Sequence, residues 1–131
     1  MSGTAVAPEV PTLVLEADER APGAARRFVS GVFRELGIPD DFTGQLVVCE
    51  LVTNALRHGA GPIVVRVFRD ERDGLVVIDV WDAGTGRPVV RPENHAAMSG
   101  RGLPLVSALT RAWGVRELNG GAKAVWAKCD G

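Results

Sequence analysis

Three short stretches of this chain combine residue types that can bind charge or move a proton. Glu50, Asn54 and His58 recur every fourth residue inside an apolar-periodic segment, so a helix sets them on one face. Asn is a poor helix-interior residue, because its amide competes for the backbone. An Asn54 held in mid-helix needs compensation, and a cation or ligand facing its amide oxygen would supply it. Asp82-Ala-Gly84-Thr-Gly86 follows the apolar run VVIDVW. A carboxylate at a strand end can accept a hydrogen bond from an amino group, and the two glycines let a ligand approach the backbone. Ser99-Gly100-Arg101-Gly102-Leu103 opens a further helical segment, with Pro104 suited to its first turn. Helix N-termini offer free N–H groups and the positive end of the dipole, which is how phosphates are held.

Each stretch also has a plain reading. The stripe on the helix can be its solvated side, the Asp-Gly segment an ordinary turn, and the Gly-rich segment a hinge. No G-x-x-x-x-G-K-[ST] occurs, and no G-x-G-x-x-G follows the first strand, so P-loop and Rossmann sites are excluded. In this order the stretches supply the metal, base and phosphate parts of one nucleotide site.

The elements that position them are legible from periodicity. Met1–Pro11 is small, Pro-bearing and aperiodic, a flexible tail before one domain over residues 12–131. Thr12–Glu16 reads as a short strand. Ala24–Leu36 repeats apolar residues at helical spacing and stops at Gly37. Asp40 or Asp41 caps a second helix that runs through QLVVCELVTNALRH to Gly59. Ile63–Arg69, the turn DERDG and Leu75–Trp81 form a hairpin. Asp79 belongs to the polar face of that second strand. Arg87–Ser99 has no period, and a stretch of that length inside a domain is functional or mobile. Leu103–Ala112 reads as a third helix, and Trp113–Leu118 with Lys123–Cys129 as a last hairpin. Hairpins mixed with helices predict an α+β fold: a two-layer sandwich with a mixed, largely antiparallel sheet and helices on one face.

Composition narrows the function. Of 131 residues, 46% are apolar and 24% charged, as in soluble globular domains. Fifteen basic and 16 acidic side chains give a net charge of −1, which speaks against a nucleic-acid or anionic-membrane binder. Cys49 and Cys129 stand alone, without a C-x-x-C pair, as small buried thiols rather than metal ligands. The N-terminus lacks the features of a signal peptide and no run is long enough to span a bilayer, so the expected compartment is the cytoplasm.

At this point the chain resembles the GHKL superfamily of ATP-binding domains, the Bergerat fold. Within it, the chain is most similar to bacterial anti-sigma factor serine kinases and their stand-alone actinobacterial relatives. Glu50-Leu-Val-Thr-Asn54-Ala-Leu-Arg-His58-Gly59 matches the N box, Asp82-Ala-Gly84-Thr-Gly86 the first glycine box, and Gly100-Arg101-Gly102-Leu103-Pro-Leu-Val106 the second. Gly120-Gly121-Ala-Lys123-Ala124-Val-Trp-Ala resembles the family's last hairpin, and the likeness covers about residues 12 to 129.

The resemblance implies ATP and Mg²⁺ as cofactors. Asn54 would ligate Mg²⁺, Asp82 would receive the adenine amino group, and Gly84 and Gly86 would let the base lie against the loop. Gly100, Arg101, Gly102 and Leu103 would line the phosphates, Arg87–Ser99 would form an ATP lid, and His58 would contact phosphates or cap its helix. In the kinase branch Glu50 would be the base for a substrate serine. The family often carries a threonine where this chain has Ala124, which predicts a weaker hold on adenine. The implied activity is that of a serine/threonine protein kinase acting as an anti-sigma factor, a homodimer whose partners are a sigma factor and an anti-anti-sigma (STAS-type) protein. The alternative is an ATP-binding regulatory module that transfers no phosphate. A detached histidine-kinase domain ranks below both, since neither His58 nor His95 lies in a free helical hairpin.

Overall fold

The computed structural model describes residues 10–58, 61–82, 102–117 and 123–130. Five strands form one sheet in the order β1-β2-β3-β5-β4, with β1 at Thr12–Leu15, β2 at Ile63–Arg69, β3 at Val76–Asp82, β4 at Ala112–Glu117 and β5 at Lys123–Cys129. Every pairing between them is antiparallel, which sharpens the expected mixed sheet. The helices among the described residues are α1 (Ala21–Glu35), α2 (Phe42–His58) and α3 (Gly102–Leu109). The α+β sandwich expected from the sequence is the fold.

Strand alternation sorts the sheet into two faces. Ile63, Val65 and Val67 of β2, Val76, Ile78 and Val80 of β3, and Val125, Ala127 and Cys129 of β5 are buried in one core with the helices. From α1 that core takes Ala25, Val29, Val32 and Phe33, and from α2 Val47, Val48, Leu51 and Val52. These are the apolar positions whose spacing predicts the helices. Gly44 sits at the crossing of α1 and α2, where an added Cβ would lie 2.7 Å from the Phe33 ring. Only a glycine lets the two helices approach so closely.

Local chemistry sets the ends of the elements. Pro22 lies in the first turn of α1, which starts three residues earlier than periodicity predicts. The helix closes with Gly37 at φ 78°, with Ile38 N–H donating to Phe33 O at 2.9 Å. Both aspartates accept at the start of α2: Asp40 takes the Phe42 N–H at 3.1 Å, and the Asp41 carboxyl accepts from the Ser30 and Gln45 side chains. The third helix ends at Leu109 rather than Ala112. Thr110 Oγ1 turns back to Val106 O at 2.7 Å, and Arg111 N–H already pairs with Lys128 O at 2.9 Å, so the chain leaves the helix there and β4 begins at Ala112. Pro11, the last residue of the expected tail, accepts the Val67 N–H on its carbonyl at 3.3 Å, and residues 1–9 lie outside the described residues.

Candidate functional site

The polar stripe on α2 is not simply a solvated face. Asn54 is only 4% exposed, and its Oδ1 makes no hydrogen bond among the described residues. A buried amide oxygen without a donor costs about 1–3 kcal/mol, so this one calls for a partner beyond the described residues. Glu50 is half-buried one turn earlier on the same face, roughly 6 Å back along the helix axis. His58 is the last residue of α2, and its side chain lies outside the described residues.

Connectivity brings the next group to the same end of the domain. Only residues 59–62 separate α2 from β2, so the last turn of α2 and the first residue of β2 are neighbours. Ile63 pairs with Asp82 in the sheet, which carries Asp82 to that end. Asp82 shares the alternation of Val76, Ile78 and Val80, which directs it to the helix side, and it is 5% exposed. It is the last residue of β3 rather than the first of the following loop.

Gly102 and Leu103 open α3 as the Gly-rich motif predicts. The other end of that helix is fixed where β5 finishes, through Arg111 and Lys128. Along its length the helix packs against α2, which carries Asn54. Gly84, Gly86, Gly100, Arg101 and the expected lid Arg87–Ser99 lie outside the described residues.

Two corrections concern residues on the opposite face. Ala124 pairs with Trp81 and Arg116, out of step with the core residue Val125. Its side chain therefore faces away from the side that Asp82 shares, and its missing hydroxyl says nothing about adenine there. Asp79 is not merely a polar-face residue. It is 1% exposed and receives both Arg66, at 2.7 Å, and Arg116 on its Oδ2. The Arg66 guanidinium in turn lies 5.6 Å from the Phe68 ring centroid and 5.3 Å from that of Trp81. The sequence signal was the lone carboxylate in VVIDVW. The partners came from register, since Arg66 faces Asp79 directly across β2 and β3.

A cleft of about 450 Å³ lies at the far end of the domain, lined by Ile38, Arg69, Leu109 and Cys129 among others. It is separate from the Asn54 end. Burial, with Asp130 adding to it, pushes the Cys129 thiol up to about 11, which leaves it protonated and inert at neutral pH. Cys49 is half-buried and accepts a contact from Arg26 Nη1 at 3.3 Å.

A family model described as a histidine kinase-like ATPase domain matches residues 15–128. The chain belongs to that family, and it is an ATP-binding, kinase-like ATPase domain. No curated protein matches it. Among the described residues, no helix is long and apolar enough to cross a membrane.

Proposed function

We propose that this chain is an ATP- and Mg²⁺-dependent serine/threonine protein kinase that acts as an anti-sigma factor and phosphorylates a STAS-type anti-anti-sigma partner. The observation that carries the reading is the buried, undonated Oδ1 of Asn54 with the Glu50 carboxylate one turn away. An amide oxygen in that state suits a hard cation. Among the described residues no three His, Cys, Asp or Glu side chains gather into a metal cluster. Asn54 would therefore hold Mg²⁺ jointly with phosphate oxygens and water, as this ion is commonly held.

When bound, the ion would neutralise charge on the phosphates. The chain's own residues do the rest. Asp82 would accept the adenine amino group and fix the base at the end of β3. Gly84 and Gly86 would admit the base. Gly100, Arg101, Gly102 and Leu103 would present N–H groups and positive charge to the phosphates at the start of α3. His58 would contact phosphate at the end of α2. Glu50 would orient a substrate hydroxyl and take its proton. Phosphoryl transfer asks mainly for positioning and charge neutralisation, so one carboxylate beside a metal ligand is sufficient machinery. Phosphate added to the partner would then alter its interface through charge. The protein would act in the cytoplasm as a homodimer, with a sigma factor as its other partner.

Transfer of radiolabel from the γ-phosphate of ATP to a co-encoded STAS-type protein tests this. Native protein should label the partner, and Glu50→Ala should reduce the rate at least 100-fold while nucleotide binding persists. Equal labelling by the variant removes Glu50 from the mechanism. Binding of ATP without transfer to such a partner points instead to a regulatory module.

A further inference from the structure

We propose that the sheet face left uncovered by the described residues is a docking site for a partner polypeptide segment that carries an acidic side chain between apolar ones. This face is turned away from the helices and from Asp82, so the inference stands apart from the kinase reading. A carboxylate on an open sheet face is ordinarily solvated. Asp79 is instead 1% exposed, beneath Arg66 and Arg116. Two guanidiniums on one carboxylate leave one positive charge in excess. The arrangement also leaves a donor over: Arg66 Nε is buried and makes no hydrogen bond among the described residues.

A groove of about 390 Å³ lies over this cluster. Arg72 and Lys128 in its lining are already paired with Asp70, so the surplus positive charge rests with Arg66 and Arg116, and Phe68 and Trp126 form aromatic walls. Gly114 pairs with Trp126, and an added Cβ there would meet the indole at 2.8 Å, so the tryptophan lies down across β4 rather than standing up from it. Val14, on the same face of the edge strand β1, is 63% exposed. Cationic, donor-rich and flat-walled with aromatics, the groove matches an acidic side chain flanked by apolar neighbours.

Charge also decides against a second copy as the occupant. A two-fold interface brings one patch onto itself. Face-to-face packing here would set the surplus charge of Arg66 and Arg116 against its own counterpart, at a cost that a partner carboxylate avoids.

Fluorescence anisotropy with labelled hexapeptides tests the site. The probes alternate Leu or Phe with Asp or Glu, with Asn or Gln, or with Lys. The acidic probe should bind the full-length protein at least 10-fold more tightly than the amide probe, and the basic probe should not bind. Raising salt from 50 to 500 mM should weaken binding several-fold. Arg116→Gln should lose about 10-fold; Arg116 is partly exposed, so the fold should persist. Trp126→Leu provides a second variant with the same expected direction. Equal affinity for acidic and amide probes, or no loss in either folded variant, overturns the proposal. So does sedimentation showing a dimer that both variants dissociate, because the face would then belong to a second copy.

Discussion

Asp79 and Asp82 are both buried on β3, three residues apart, and strand alternation turns them to opposite faces. Asp79 looks away from the helices and is closed over by Arg66 and Arg116, with aromatic rings against the first of these. Asp82 looks toward the helices at the end where α2 finishes and Asn54 keeps an undonated oxygen. The same residue type on the same strand thus sits in two different electrostatic settings. At Asp79 the chain provides its own countercharge across β2 and β4. At the Asp82 end a polar atom of α2 has no donor among the described residues. Register, more than residue type, decides which face of the sheet each carboxylate is buried on.

The sharpest way to break this comparison is at Asn54. Asn54→Ala should lower Mg-ATP affinity at least 100-fold in titration calorimetry. Its stability should change by only about 1 kcal/mol, because the substitution removes a buried group that was already short of a donor. An unchanged dissociation constant would show that the orphaned oxygen has nothing to do with nucleotide. A large loss of stability would place Asn54 in the packing instead.

The two aspartates provide the next test. Asp79→Ala leaves Arg66 and Arg116 without their shared anion. Removing one partner from a buried ion pair costs about 3–5 kcal/mol, and partial exposure of both guanidiniums reduces the expected loss to about 2–3 kcal/mol in urea denaturation. Mg-ATP affinity of the folded protein should be unchanged. Asp82→Ala should do the reverse, with weaker binding and a smaller loss of stability. If both variants behave alike, the division of labour between the two faces fails.

Much of this was readable before any coordinates. Period 3.6 placed α1 and α2, period 2 placed the hairpins, and Glu50 and Asn54 came from four-residue spacing alone. The partners of Asp79 are illegible in its sequence neighbours, because Arg66 and Arg116 lie 13 and 37 residues away and meet it only through strand pairing. The face that Ala124 takes is equally illegible, because one step of strand register moves a side chain from the Asp82 side to the other. Thr110 and Arg111 escaped helical periodicity for a related reason. Their hydrogen bonds close a turn and join a strand, and tertiary pairing overrides the local pattern.

The smallest expected effect lies at the rim of the open face, where the β2–β3 turn is tied to β5. The Arg72 side chain and backbone N–H, followed by Lys128, hold the Asp70 carboxyl well below its ordinary range. Lys128, with the Leu75 N–H, lowers Asp73 as well. A carboxylate whose folded value is depressed contributes stability that is present above its unfolded value, near 3.8, and is lost as pH falls through the folded one. Stability should therefore decline from about pH 4 downward, with Asp70→Asn showing a shallower decline than the native chain. The groups are solvent-screened, so the difference should be modest and should shrink further in high salt. Denaturation midpoints between pH 5 and 2 at low and high salt measure it. Parallel slopes for native and variant protein would mean that the turn's ion pairs are bystanders, and that the charge economy of the open face is confined to Asp79 and its two arginines.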